Sequence, residues 1–260
     1  ELDLTPNRGD CLSHLGVARE LGIFENKDIK RRSYKLKETS QSTKDEIKIS
    51  IENSDGCLRY AGRVIKGVKV NPSPKWLADR LTSIGFSSIN NIVDAANYVL
   101  MDLGHPMHTF DLDKISGNEI KVRYAKDGEQ FTTLDDEKRK LKDFHLLICD
   151  GEKPVALAGI MGGVNSEITD DTTDILLESA YFNPAVIRKG AKVLDISTEA
   201  SRRFERDTDI EGVIPAVDQL AALIQEVAGG KILKGVADEY PGKKAQRSIQ
   251  FSAEKCQNIL

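Results

Sequence analysis

The chain has 260 residues, of which 40% are hydrophobic and 30% charged, so it can bury a core of useful size. Its formal net charge is −4 and its pI about 5.7, which argues against a broad phosphate-binding face; contact with RNA would need a local patch or further domains. No run of 18 apolar residues is present, so neither a membrane-spanning helix nor a membrane partner is expected.

Cysteine usage and the two ends of the chain narrow its class further. The four cysteines form no CxxC pair, which indicates neither a zinc site nor a disulfide framework and favours reduced thiols in a cytoplasmic protein. The chain starts at Glu1 rather than Met, and its last residues resemble the beginning of a new element. We therefore expect an excised piece of a longer protein.

The first 46 residues predict a helix followed by a polar connector. Apolar residues recur at near-helical spacing over 12–21, and Gly22 is a plausible stop. Six basic residues and one acidic residue lie in 27–37, and 38–46 contains nothing apolar, which is the composition of a linker. The basic cluster could contact RNA phosphates, but a solvated connector fits it better.

Beyond residue 46, strand and helix patterns are mixed without a regular βαβ order. Strands are predicted at 47–51, 60–70 and 175–178, with several short strands between 119 and 157. Helices are predicted from Ser73-Pro74 to Gly85, at 91–101, from Asn183-Pro184, at 198–206 and at 214–227. This mixture favours an α+β fold, with mixed sheets and packed helices.

Composition also suggests three parts along the chain. Residues 1–40 are expected to be the end of a preceding domain and a linker. Residues 41–245 would form the main domain, and 246–260 the start of a following domain. No internal repeat at a fixed period is present.

The glycine run from Gly159 to Gly163 is the first candidate for a binding site. It lacks the Gly-Lys-Ser/Thr of a Walker loop and the spacing of a dinucleotide-binding GxGxxG motif. It offers close backbone approach to a ligand and free N–H donors, but a tight turn between strand and loop would have the same composition.

Polar side chains elsewhere give weaker signals. His105 and His108 fall in a predicted loop at 104–108, but no further ligands follow in a matching pattern, so no metal site is predicted. A loop histidine that only hydrogen-bonds its own backbone is the alternative. Neither GxSxG nor a Cys/His signature supports covalent catalysis. The remaining polar candidates could equally be caps or surface groups: Asp94, Asn97 and Glu178.

Six motifs occur in order over nearly the whole chain: TPNRGDCLS at 5–13 with VAREL at 17–21, NIVDAANYV at 91–99, GHPMHTFD at 104–111, ALAGIMGG at 156–163, LESA at 177–180 and TEASRRFER at 198–206. Together they resemble the beta subunit of bacterial phenylalanyl-tRNA synthetases, in its central part that contains the tRNA-editing domain. Six motifs in family order are far more specific than the glycine run alone.

The resemblance implies an α2β2 ligase that attaches phenylalanine to its tRNA, using ATP and magnesium at a synthetic site on the alpha subunit. The beta subunit of this family carries a separate pocket that hydrolyses tyrosine wrongly attached to tRNA(Phe). For this chain the resemblance therefore implies an editing domain of α+β fold with no cofactor of its own. Its partners would be the alpha subunit and tyrosyl-tRNA(Phe).

Carried over by position, the functional residues of the family fall on these motifs. His108 would lie by the ester and help to hold the attacking water, and Glu178 would accept a hydrogen bond from the para-hydroxyl of tyrosine. At position 96 the family often has Thr where this chain has Ala96, so a hydroxyl that could contact water or substrate is missing. The other residues expected to line the pocket are Asn97, Gly159, Gly162, Gly163, Thr198 and Ala200.

Physical chemistry explains why such a second pocket would be needed. A hydrophobic pocket cannot strongly reject an isostere that merely adds a hydroxyl, whereas a pocket with a carboxylate acceptor can demand that hydroxyl. We expect the residues to converge on one pocket that needs no metal, with His108 orienting water rather than abstracting a proton. The alternatives are a non-catalytic RNA-binding or scaffold module of the same fold, and a freestanding editing protein.

Overall fold

The computed structural model describes residues 2–243 and 248–259. Its helices are α1 (His14–Glu25), α2 (Thr43–Glu46), α3 (Lys75–Thr82), α4 (Asn91–Leu103), α5 (Pro184–Leu194), α6 (Glu199–Phe204), α7 (Val213–Ala228) and α8 (Ala253–Gln257). Its strands are β1 (Glu38–Ser42), β2 (Lys48–Ile51), β3 (Cys57–Val68), β4 (Met107–Asp111), β5 (Glu119–Tyr124), β6 (Gln130–Thr132), β7 (Lys138–Lys140), β8 (Leu146–Cys149), β9 (Pro154–Leu157), β10 (Met161–Gly162), β11 (Asp174–Phe182), β12 (Gly229–Lys234) and β13 (Ala237–Glu239). None of the described helices is long and apolar enough to cross a membrane.

The larger sheet has the strand order β1-β12-β3-β11-β4, and β13 pairs with β3. Its centre is the antiparallel pair β3 and β11, which runs from Asp174 opposite Lys66 to Phe182 opposite Cys57. Strand β11 is buried along almost its whole length, as expected of a central strand that is covered on both faces. Strand β4 pairs antiparallel with the other side of β11.

Two hydrophobic cores cover the two faces of this sheet. On one face, helices α4 and α7 pack over Ile65, Ile175 and Leu177. On the other face lies the smaller sheet, of order β10-β9-β8-β5-β2, and its Ile148 shares a core with Leu176 of the larger sheet. The molecule is therefore built as helices, larger sheet and smaller sheet, which confirms the predicted α+β class.

Local sequence explains where several helices begin. The Asn183 side chain accepts a hydrogen bond from the N–H of Ala185, which starts α5 as the Asn-Pro pattern predicts. Helix α6 begins with a capping box formed by Thr198 and Ser201. Helix α4 begins after Asn90, whose side chain caps two backbone N–H groups. Helix α3 differs from its prediction, because it begins after the proline without a side-chain cap.

Other local predictions are wrong. Helix α1 continues past Gly22 and ends at Glu25, followed by a left-handed Asn26. The polar segment 38–46 is not a linker, since β1 pairs in parallel with β12 and α2 follows it. An edge strand needs backbone partners rather than an apolar pattern, so composition misses it. The predicted loop at 104–108 also ends early, because β4 begins at Met107.

The structure describes the chain at only one of the two expected domain boundaries. The boundary between 40 and 41 falls inside β1, which belongs to the larger sheet from Glu38 onward. The boundary between 245 and 246 lies outside the described residues.

Candidate functional site

Two strands of the larger sheet bring a carboxylate and an imidazole together. In the antiparallel pair of β11 and β4, Glu178 lies directly opposite His108. Directly opposite residues share a face of the sheet, with Cβ atoms roughly 4.5–5.5 Å apart. Because side chains alternate along a strand, both share the face of Leu176 and Phe110, which packs on the smaller sheet.

A cavity of about 250 Å³ opens beside these two side chains. Its walls are mainly apolar and come from β4, the smaller sheet, the loop before β10 and helix α6. Small-molecule pockets are typically apolar with a few placed polar groups and measure roughly 300–1,000 Å³, so this one suits a single side chain. The polar residues that line it are Asn97, His108, Glu178, Thr198 and Glu199.

Glu178 is a buried carboxyl group with one oxygen engaged. The residue is 6% exposed, and its Oε2 accepts a hydrogen bond of 2.9 Å from the hydroxyl of Tyr60 on β3. Burial raises the pKa of Glu178 to about 7, and the hydrogen bond from Tyr60 opposes that rise because it favours the charged form. Oε1 receives no hydrogen bond from the described residues, which leaves a free acceptor in a residue that lines the cavity.

His108 is a neutral imidazole. Burial lowers its pKa to about 4, and no described residue forms a hydrogen bond or ion pair with the ring. The ring packs edge-on against Phe110, with centroids 4.5 Å apart. A neutral imidazole can accept a hydrogen bond from water at one nitrogen and donate one at the other. With a pKa so far below neutrality it is a weak general base.

The loop between β9 and β10, together with β10 itself, forms a wall that glycine makes possible. Gly159 has a φ of +66°, and a Cβ there would lie 2.9 Å from the ring of Phe182. A Cβ on Gly162 would lie 2.7 Å from Cε1 of His108. The absence of these two side chains therefore lets the backbone approach the cavity and leaves room for the imidazole.

Helices α6 and α4 complete the lining. The Thr198 hydroxyl accepts a hydrogen bond from the N–H of Ser201 and donates one of 2.9 Å to the carbonyl of Ile160. It thereby ties the start of α6 to the glycine loop, and its proton is not free to be donated to a ligand. Ala200 and Asn97 also line the cavity, and the Asn97 amide has no hydrogen-bond partner among the described residues.

Seven of the eight expected site residues meet at this cavity; their roles in binding or hydrolysis are still predictions. Gly163 is the exception, because it does not line the cavity: a Cβ there would lie 2.6 Å from Phe131, which is not part of the lining. Ala96, a residue of α4, also lies outside the cavity and packs in the core between α4, α7 and the larger sheet. The hydroxyl missing at position 96 therefore leaves the lining unchanged.

Tyr60 is the site residue that sequence reasoning missed. The pattern predicts it only as part of a strand, and its partner Glu178 lies 118 positions away in the chain. One signal was available, since a tyrosine in a buried strand needs a hydrogen-bond partner for its hydroxyl.

A second cavity, of about 460 Å³, lies between the N-terminal segment and residues 206–215. Its lining is mainly polar, with arginines and carboxylates in balance, so its charge favours no particular ligand. Nearby, Asp10, Cys11 and Glu20 hold three potential metal-ligand atoms within 4.8 Å of one another. The Arg8 guanidinium already donates to all three, at 2.7–2.9 Å, and supplies the positive charge there.

The fold and the site define an α+β domain with a small, mainly apolar pocket between two sheets. The sequence profile of the B3/4 domain matches residues 56–229, which contain the whole lining of the pocket. The chain belongs to the B3/4 domain family.

Similar proteins extend the match over the whole chain. It is 50% identical to the phenylalanine–tRNA ligase beta subunit of Syntrophotalea carbinolica and 48% identical to that of Geobacter metallireducens. Each match covers 100% of this chain and 32% of the relative, so the chain spans about a third of their length. The resemblance to beta subunits predicted from the six motifs is confirmed.

A solved structure shares the fold. It is an N-terminal fragment of the phenylalanyl-tRNA synthetase beta subunit from Pyrococcus horikoshii, with a TM-score of 0.50 and 18% identity. The match covers 88% of this chain and 60% of the fragment. At this identity the likeness concerns the fold alone.

Proposed function

We propose that this chain is the editing domain of a phenylalanine–tRNA ligase beta subunit and that its pocket hydrolyses tyrosine wrongly esterified to tRNA(Phe). The observation that carries the proposal is the pairing of Glu178 with His108 across β11 and β4, at the edge of a small apolar pocket. One group could recognise a phenol, and the other could hold water near the ester.

Selection would depend on the free oxygen of Glu178. Tyrosine and phenylalanine differ by one hydroxyl, and an ionised carboxylate can only accept a hydrogen bond. The tyrosine hydroxyl can donate one, whereas phenylalanine would leave a buried acceptor unpaired at a cost of about 1–3 kcal/mol. That difference corresponds to a preference of roughly 5-fold to 150-fold for tyrosine.

Hydrolysis would depend on placing water rather than on a strong base. The pKa of His108 is about 4, which suits an imidazole that orients a water molecule by hydrogen bonding. An aminoacyl ester is more reactive than an amide, so orientation of water and backbone N–H donors for the developing oxyanion would suffice. Gly162 would leave the imidazole its place, because a Cβ there would lie 2.7 Å from Cε1 of His108.

The proposal extends to the whole protein by way of the relatives. They are named as beta subunits of a ligase, so we infer an alpha subunit as partner, in an α2β2 assembly, and tyrosyl-tRNA(Phe) as the substrate of this domain. ATP and magnesium would serve ligation at the alpha subunit and not this pocket. We place the enzyme in the cytoplasm, where its tRNA is charged.

The test is deacylation of tyrosyl-tRNA(Phe) and phenylalanyl-tRNA(Phe) by the complete enzyme and by its Glu178→Ala variant. Wild type should hydrolyse the tyrosyl ester preferentially, and Glu178→Ala should lower that preference roughly 5-fold to 150-fold, mostly by slowing the tyrosyl reaction. An unchanged melting transition would confirm that the variant is folded. A folded variant that keeps the parental ratio would refute this account of specificity. No hydrolysis of either ester by wild type would favour a non-catalytic RNA-binding or scaffold module.

A further inference from the structure

The hydroxyl of Tyr60 connects the candidate site to a strand that contributes nothing to the lining of the pocket. Tyr60 is fully buried on β3, and its hydroxyl donates a 2.9 Å hydrogen bond to Oε2 of Glu178. Burial and the neighbouring carboxylate raise the pKa of the Tyr60 phenol well above its usual value, so the hydroxyl remains a donor at any physiological pH.

Strand register explains how the two side chains meet. The residue directly opposite Glu178 on β3 is Gly62, and Tyr60 is opposite Ala180. Tyr60 is therefore a diagonal neighbour of Glu178 on the same face, within reach of a long aromatic side chain. A Cβ at Gly62 would lie 2.9 Å from Ile49, so the position beside Glu178 has no room for a side chain of its own.

We propose that Tyr60 is the positioning residue for Glu178: it holds one carboxylate oxygen and so leaves the other as the acceptor that faces the ligand. The inference rests on the proposed editing function, which makes Glu178 the group that recognises tyrosine. Because a hydrogen bond from a neutral donor favours the charged form, Tyr60 also keeps Glu178 ionised at a pH where burial alone would protonate it.

Among the described residues around Glu178, Tyr60 is the one whose side chain hydrogen-bonds the carboxylate. From β3 it faces the phenol of Tyr60 and the thiol of the fully buried Cys57; from β4 it faces neutral His108. From α6, Glu199 lines the same pocket but pairs with two arginines of its own helix. No described Lys or Arg forms an ion pair with Glu178, so the Tyr60 hydroxyl is the group that offsets its burial.

The test follows the ratio of tyrosyl to phenylalanyl deacylation from about pH 6 to 9.5, in the complete enzyme and with spontaneous hydrolysis subtracted. In wild type the ratio should rise with a midpoint near pH 7, as Glu178 ionises. Tyr60→Phe should move that midpoint upward by about 1 to 2 pH units, the effect of losing one hydrogen bond to a charged group. Tyr124→Phe is the matched control, because it removes a 2.9 Å tyrosine–carboxylate bond, to Asp55, between two residues that do not line the pocket.

Two further variants keep the result decisive. Replacing Tyr60 by 3-fluorotyrosine retains the ring and the hydroxyl but makes the phenol more acidic and therefore a stronger donor. The midpoint of the ratio should then move to lower pH. This variant tests the role of Tyr60 even if Tyr60→Phe does not fold. Glu178→Gln cannot titrate, so its ratio should not vary with pH in either Tyr60 background.

Failure of this inference differs from failure of the proposed function. Wild-type enzyme without any preference for the tyrosyl ester would overturn the editing function. A wild-type preference whose midpoint is unmoved by folded Tyr60→Phe, or by 3-fluorotyrosine at this position, would overturn the role of Tyr60 alone.

Discussion

Replacement of Glu178 by glutamine should improve the stability of the chain relative to wild type as pH rises from 5 to 8, by an amount that follows from the raised pKa of Glu178. Burial raises the pKa of Glu178 from its ordinary value of 4.5 to about 7, so the folded state binds a proton more tightly than the unfolded state. Well below pH 4.5 the carboxyl group is protonated in both states, so stability does not depend on its ionisation. Between pH 4.5 and 7 the unfolded state ionises first, so stability falls as pH rises.

The size of the effect follows from the same two values. A raised pKa of this extent lowers the free energy of unfolding by about 1 kcal/mol at pH 5 and about 3 kcal/mol at pH 8. Glutamine cannot ionise and keeps an oxygen that can accept the hydrogen bond from Tyr60. The stability of Glu178→Gln relative to wild type should therefore improve by about 2 kcal/mol between pH 5 and pH 8.

Urea denaturation of both proteins at several pH values between 5 and 8 measures this difference. Glu129→Gln is a suitable control, because a hydrogen bond from Arg123 lowers the pKa of Glu129. The stabilisation by Glu129 is complete above its unfolded pKa, so the difference between Glu129→Gln and wild type should not change from pH 5 to 8. If the difference for Glu178→Gln is also constant over this range, Glu178 is not a buried acid with a raised pKa.

Two further substitutions separate the parts of the proposed mechanism. His108→Ala should slow hydrolysis of tyrosyl and phenylalanyl esters alike, by about 10²-fold or more, and leave their ratio near the wild-type value. Unchanged rates, or loss of the tyrosyl reaction alone, would contradict a water-orienting role. Gly162→Ala would place a Cβ 2.7 Å from Cε1 of His108, and displacing the ring by such a clash should lower the deacylation rate up to about 10²-fold in a folded protein. Full activity of Gly162→Ala would mean that the exact place of the imidazole is unimportant.

Much of the fold could be predicted because its signals are local. The Asn183-Pro184 start of α5 and the capping box of α6 each depend on residues within one helical turn. Strand β1 could not be predicted, because its residues are polar and its only evidence is backbone pairing with β12, about 190 residues away. The polar composition that indicated a linker is equally suited to a solvent-facing edge strand.

In the candidate site, too, local motifs identify individual residues, whereas the contacts between those residues depend on distant parts of the chain. The six motifs located Glu178 and His108, but not that they lie opposite each other, since register depends on pairing between β11 and β4. Gly163 lies in the same run as Gly162, yet it packs on Phe131 outside the pocket, and sequence position alone does not distinguish the two. Tyr60 lies outside all six motifs, and only the register of β3 connects it to the site.

Burial of Glu178 would account both for a preference for tyrosine and for the loss of stability as the carboxylate ionises. A carboxylate in water would gain little from a tyrosine hydroxyl, because water would satisfy it equally well and phenylalanine would then be bound as readily. Burial removes that water, which raises the pKa of Glu178 and destabilises the folded chain as pH rises above 4.5, but it also makes an unpaired oxygen costly. The two experiments on Glu178 are therefore linked. If its stability effect does not vary with pH, the carboxylate is solvated, and a preference for tyrosine would have to arise from the shape of the pocket instead.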